Sequence, residues 1–242
     1  MVGNSAVIYW LMDEAGPEGA DLINDSVDGR LSAEEWNRFR QMRFPKRRRE
    51  WLSGRLTAKK LIVECVPDME NVPFAQITIA NSAAGAPYAR TADKILPIQL
   101  SISHREGWAA AAVSLNTSIS QGIDLEWVED HPLSFYEDFF TADEVRTLGN
   151  YAAEQRAWAG SLMWSAKEAV LKALGQGLSV DTRAVEVTRI AKTATDDWGD
   201  VELRVANFNE ERWFGFWRNR GQHVLTLAVG GAKTRPEIKQ AG

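Results

Sequence analysis

At 242 residues with 45% hydrophobic side chains, the chain can bury one large core or two small ones. Its formal charge of −5 argues against a general nucleic-acid binder, and no run of about 18 apolar residues exists to form a membrane span. One cysteine, Cys65, and three histidines exclude an internal disulfide and argue against zinc, so any metal is expected to be a hard, oxygen-bound cation.

The opening stretch MVGNSAVIYWLMDEAG has no basic leader and meets acid at Asp13 and Glu14, which reads as a cytoplasmic rather than a secreted protein. Within it, AVIYWLM (6–12) reads as a strand. Ser32 followed by Glu35 is a capping-box pattern and starts a helix over 32–39. A second helix is expected from Pro45 to about Val66, with proline in its first turn and Pro67 beyond its end. It opens in the basic run RFRQMRFPKRRRE, a local anion site rather than a nucleic-acid surface in an acidic protein. Short strands follow at 74–80 (FAQITIA), 97–103 (PIQLSIS) and 107–115 (GWAAAAVSL), with a turn at NSAAGAP.

The second half repeats this order. SQGIDLEWV (120–128) reads as a strand, helices are predicted at 134–140, 142–149 and 154–174, and AVEVTRI, DVELRVA, RWFGFWR and HVLTLAV read as strands. Gly175 and Gly177 stop the long helix. Two α+β halves, residues 1–118 and 119–232, suggest a pseudo-duplication through the order of elements alone, with no repeat visible in the letters. The boundary falls in the polar stretch NTSISQ, and residues 233–242 read as a disordered tail.

Several patterns can carry chemistry. In WSAKEAVLKALGQGL (164–178), Leu162, Ala166, Ala169, Val170, Ala173 and Leu174 share an apolar stripe, while Trp164, Glu168 and Lys172 line up on the opposite side. Glu168 and Lys172 read as a solvated ion pair contributing roughly 0.2–0.5 kcal/mol, or as ligands; the tryptophan beside them implies that something covers this side. In GIDLE (122–126), period two puts Asp124 and Glu126 on one face, either an acidic edge in water or two ligands for one Mg²⁺. SISH ends a strand in Ser103 and His104, the latter a structural hydrogen-bonder or a donor to phosphate. On the basic helix, Arg48, Leu52, Arg55 and Lys59 share a side, either solvated or offering guanidinium forks to phosphates. The AAGAPYA turn, with Gly85 and Pro87, is by itself a generic hairpin signal.

Taken in order, the GxP turn, SISH, GIDLE, FFTADE and WSAKEAVLKALGQGL resemble the 4′-phosphopantetheinyl transferase superfamily in its long, Sfp-like form, over roughly residues 40–180. The resemblance implies a pseudo-duplicated α+β fold of two similar halves, each with a small antiparallel sheet and packed helices. The active site would lie between the halves, with the Trp164 face covered by the other half. Such enzymes move the phosphopantetheine arm of coenzyme A to a serine hydroxyl of an acyl, peptidyl or aryl carrier protein, releasing adenosine 3′,5′-bisphosphate, and use Mg²⁺. Carried over by motif, Asp124, Glu126 and Glu168 would hold the metal, and Lys172 and Lys167 would contact phosphate oxygens. Ser103 and His104 would hold coenzyme A phosphates, Arg55 with Arg48 as second choice the 3′-phosphate, and Gly85 and Pro87 the adenine side. Glu168, Lys172 and His104 would be the catalytic groups. Neither nucleic acid nor membrane is an expected partner, and two built-in halves imply a monomer. The chain departs from the family at YEDFF, acidic where a basic residue is common, and at Lys59, where arginine is common. Competing readings are an Mg²⁺-dependent hydrolase of a phosphate ester or diphosphate, and a non-enzymatic interaction module.

Overall fold

The computed structural model describes residues 6–14, 29–175, 180–191, 198–206 and 212–242. Gly177, expected to stop the long helix, lies outside them. The described residues divide into two compact units, one formed by 6–117 with 237–242, the other by 118–236.

The first unit contains β1 (Val7–Glu14), α1 (Ala33–Gln41), α2 (Pro45–Cys65), β2 (Thr78–Asn81), β3 (Pro87–Arg90), β4 (Gln99–Arg105), β5 (Trp108–Ser114) and, from the far end of the sequence, β11 (Glu237–Gln240). Its main sheet has the order β11-β1-β5-β4, and β2 and β3 form a separate hairpin. Fully buried alanines from Ala109 to Ala112 keep β5 thin, and α2 packs across it through Ala58, Leu61 and Ile62. α1 starts at the expected capping box, the Ser32 hydroxyl accepting from Glu35 N–H while the Glu35 carboxylate accepts from Ser32 N–H. The strand expected over 74–80 begins later: Phe74–Gln76 is a turn of 3₁₀ helix, whose Phe74 carbonyl accepts a hydrogen bond from the buried Lys59 ammonium.

The tail is also different from expectation. Residues 237–240 are a strand, parallel to β1 with Val7 opposite Glu237 and Trp10 opposite Gln240, and Ala241 is buried. The physical reason is the outer edge of β1, whose backbone donors and acceptors need partners. A charged segment that satisfies an edge through its backbone leaves little trace in side-chain pattern.

The second unit runs β6 (Ser120–Trp127), α3 (Leu133–Phe139), α4 (Ala142–Gly149), α5 (Ala153–Ala173), β7 (Val185–Ile190), β8 (Gly199–Val205), β9 (Trp213–Arg220) and β10 (His223–Gly230). All pairings in its sheet, ordered β6-β10-β9-β8-β7, are antiparallel. The predicted helices are thus present to within a residue or two.

The two units are copies of one plan. In each, the first strand pairs with the last sequential one, and that with its predecessor: β1-β5-β4 and β6-β10-β9. Both long helices have 21 residues and carry a buried lysine at the same place, Lys59 and Lys167, each 0% exposed. Lys59 meets Glu35 (2.5 Å) and Lys167 meets Glu144 (2.8 Å), each glutamate closing a capping box and accepting a backbone N–H, from Ile79 and Val187 respectively. Aligned this way, a repeat emerges in the letters after all: SAEE (32–35) with TADE (141–144), and TAKK (57–60) with SAKE (165–168). Two four-residue islands separated by a variable span were too short to stand out unaided.

Candidate functional site

The second unit builds its site along the seam between α5 and β6. Between Ala159 and Leu171 every residue of α5 is buried except Trp164 and Glu168, and the half-buried Lys172 continues their line. A helix apolar or enclosed nearly all round is a core helix, so this one open line is where it can meet a ligand. Within its own unit Trp164 packs against the rings of Phe135 (5.1 Å) and Phe139 (5.2 Å) of α3.

β6 approaches the helix unusually closely because of Gly122. A Cβ there would sit 2.1 Å from the Ala169 carbonyl oxygen and 2.6 Å from Ala173 N, a contact that backbone cannot yield to cheaply. Gly122→Ala is therefore expected to displace the seam, costing at least about 1–3 kcal/mol; a urea midpoint equal to that of the parent protein would contradict this close approach. Strand alternation puts Asp124 and Glu126 on the same face as Gly122. Opposite Asp124 stands Thr226 of β10, whose hydroxyl shares a 2.8 Å hydrogen bond with Ser165 of α5. Asp124 is 3% exposed and accepts from Lys172 Nζ at 2.6 Å. Glu168 Oε1 is buried and accepts no hydrogen bond among the described residues. Burial first, and then the nearby Asp124 carboxylate, push the Glu168 carboxyl up to about 7, with Lys172 opposing.

Two carboxylates held close enough to repel, one of them with an unsatisfied oxygen, fit a hard divalent cation. Glu126 shares their face but is half-buried, and among the described residues no three His, Cys, Asp or Glu side chains are grouped as metal ligands. Of the expected set, Asp124, Glu168 and Lys172 are joined by the interactions above, and Glu126 lies farther along the same face of β6. Lys172 supplies the counter-charge at Asp124.

Lys167 is corrected outright. It is fully buried, donates to the Thr182 and Val185 carbonyls, pairs with Glu144, and lies 5.2 Å from the Phe140 ring centroid. With its donors taken it is a structural pin, with none left for a phosphate oxygen. Burial lowers its pKa.

In the first unit, two of the expected residues are tied together. Arg55 is 8% exposed, stacks 4.4 Å over Trp51 and donates to Asn81 Oδ1 (3.0 Å), while Asn81 Nδ2 donates to the Gly85 carbonyl (2.6 Å). Gly85 has φ +91°, which glycine alone adopts readily. Arg55 Nε is buried with no acceptor among the described residues, and burial together with Arg38 lowers the Arg55 pKa to about 10. Pro87 opens β3, whose partner strand β2 carries Asn81 opposite it. Arg48 lies on the Phe39 ring at 4.4 Å. Lys59, on the same helix side, is committed to Glu35. Ser103 and His104 point to opposite faces of β4, the serine buried and the histidine exposed, so they do not present one joint surface. Asn81 was missed by sequence reasoning; its position just before a glycine turn was the available signal. No described helix is long and apolar enough to cross a membrane.

Residues 120–228 match the family model described as the 4′-phosphopantetheinyl transferase superfamily. The holo-[acyl-carrier-protein] synthase of Geobacillus sp. (strain WCH70) is 34% identical over 94 residues, covering 38% of this chain and 79% of that one. The 4′-phosphopantetheinyl transferase psf-1 of Bacillus pumilus is 32% identical over 124 residues, 51% of each chain. The 4′-phosphopantetheinyl transferase HetI of Nostoc sp. (strain PCC 7120 / SAG 25.82 / UTEX 2576) is 28% identical over 170 residues, 69% of this chain and 67% of that one. The chain spans about half the length of curated relatives such as psf-1.

Proposed function

The chain belongs to the 4′-phosphopantetheinyl transferase superfamily, and from that premise we propose that it transfers the phosphopantetheine arm of coenzyme A to a serine hydroxyl of a carrier protein. The observation that carries this reading is the enclosed trio of Asp124, Glu168 and Lys172 on the β6–α5 seam. Such a trio has acceptors for a cation and a proton, and a donor for an anion.

Asp124 and Glu168, joined by Glu126 from the same strand face, would hold Mg²⁺, which when bound neutralises charge on the pyrophosphate oxygens. The chain's own groups do the remaining work. Lys172 exchanges its ion pair with Asp124 for a phosphate oxygen of coenzyme A, stabilising the charge that builds there. The serine oxygen attacks the β-phosphorus, the bond to the leaving adenosine 3′,5′-bisphosphate breaks, and the serine proton passes to Glu168 directly or through a water. A carboxyl held near 7 is suited to that exchange at neutral pH. In the first unit, buried Arg55, with Arg48 nearby on the same helix, suits the 3′-phosphate. Ser103 and His104 are assigned to other coenzyme A phosphates, and the Gly85–Pro87 turn to the adenine.

The test is mass spectrometry of several apo carrier proteins after incubation with coenzyme A and Mg²⁺. One modified serine per carrier, with an equal amount of adenosine 3′,5′-bisphosphate released, is expected. Consumption of coenzyme A at the same rate without any carrier would instead make the protein a hydrolase.

A further inference from the structure

The two units differ at one matched place. Because Glu35 accepts from Ile79 N–H and Glu144 from Val187 N–H, Thr78 of β2 corresponds to Glu186 of β7. Their cross-strand partners correspond too: Arg90 stands opposite Thr78, and Arg204 opposite Glu186. In the second unit the strands fill this position themselves, Arg204 donating to the Glu186 carboxylate at 2.6 Å. In the first unit that carboxylate is missing. Thr78 offers a hydroxyl in its place, Arg90 pairs with Glu34 of α1 instead, and an open-sided cavity of about 470 Å³ lies between the start of α1, the start of β2 and the end of β3. That volume is within the usual range of small-molecule sites, roughly 300–1,000 Å³.

The walls carry groups that a charged ligand would satisfy. Thr78 is only 6% exposed, and its hydroxyl makes no hydrogen bond among the described residues, so it calls for a partner inside the cavity it lines. Arg90 uses one of its N–H donors on Glu34, leaving others for an anion. Ala33 and Glu34, which also line the cavity, open α1, where N–H groups have no acceptor within the helix. These donors suit a carboxylate such as the one Glu186 supplies in the other copy. Yet Glu34 and Asp93 set two carboxylates against the single guanidinium of Arg90, so a plain anion would be repelled. A ligand of both signs satisfies both sides. Ala33, Ala75 and Ala92 supply the apolar part of the wall.

We propose that this cavity binds a small zwitterion of the α-amino acid class, its carboxylate taking at Arg90 and Thr78 the place that Glu186 fills in the second unit, its ammonium facing Glu34 and Asp93. The site lies at the other end of the β2–β3 hairpin from Asn81 and Gly85, which hold Arg55, so it is separate from the coenzyme A reading and does not depend on it.

The test titrates the full chain with the common L-amino acids while NMR follows the amide signals of Glu34, Thr78 and Arg90. At least one amino acid is expected to shift all three. It should bind at least about 10-fold more tightly than its amide, which lacks the carboxylate, or its N-acetyl form, which lacks the ammonium. Arg90→Gln should weaken that binding by a similar factor at an unchanged urea midpoint, and Thr78→Glu should abolish it by placing the second unit's carboxylate inside the cavity. Should Thr78→Glu fail to fold, Arg90→Gln decides alone. No shift with any amino acid up to about 10 mM, tenfold above a weak Kd of about 1 mM, overturns the proposal. So does equal binding of the amide or N-acetyl form, undiminished affinity in Arg90→Gln, or retained binding in a folded Thr78→Glu.

Discussion

Replacing Glu168 by Gln is expected to lower carrier modification by roughly 10²- to 10⁴-fold, the range over which a positioned proton acceptor contributes. The fold should survive, because the substitution keeps shape and removes a charge that burial and Asp124 both disfavour. That second half gives a pH signature. The carboxyl has a folded pKa of about 7 against about 4.5 in the ordinary case, so between those values the unfolded chain gives up its proton while the folded one retains it. Stability from this group is therefore present below the lower value and lost as pH rises through the upper one. In the presence of a chelator, the melting temperature of wild type minus that of Glu168→Gln should fall from acid toward neutral pH. Turnover at the parent rate in Glu168→Gln would remove the glutamate from the mechanism.

The largest effect on stability is expected from Lys167→Met. Removing one partner of a buried ion pair leaves the other charge stranded, which costs about 3–5 kcal/mol. Here Glu144 would keep its two backbone donors, Thr141 N–H and Val187 N–H, yet lose the ammonium, and the Thr182 and Val185 carbonyls would lose theirs. Lys59→Met should act likewise through Glu35, since the arrangement is repeated. Urea denaturation measures both; a loss below about 1 kcal/mol in each would mean that water reaches these glutamates despite their burial. Because Lys167 neighbours Glu168, activity measurements should be made well below the unfolding midpoint.

Most of the helices were legible because their ends are written in capping chemistry. Ser32 with Glu35 marks one start by side chains that bond their own backbone, and Pro45 marks another by its fixed torsion; the Thr141–Glu144 box starts α4 in the same way, though only the structure drew attention to it. The line Trp164, Glu168, Lys172 was visible from period alone, as was the shared face of Asp124 and Glu126. What period could not give was depth. Lys167 stands next to Glu168 in sequence and looks equally suited to phosphate, but only the packing of α4 and β7 reveals that it is enclosed. Which rings pack against Trp164 likewise depended on where α3 folds back. β11 was illegible for another reason: its role is met by backbone atoms, to which its charged side chains are indifferent.

The placement of β11 has a bearing on how the protein is made. Its partner β1 leaves the ribosome more than two hundred residues before Glu237–Gln240 emerge. Throughout that interval the nascent sheet has an uncapped border, a template onto which a neighbouring chain could graft a strand. Translation speed and chaperone supply, rather than final stability, should then govern how much of the protein is recovered from cells.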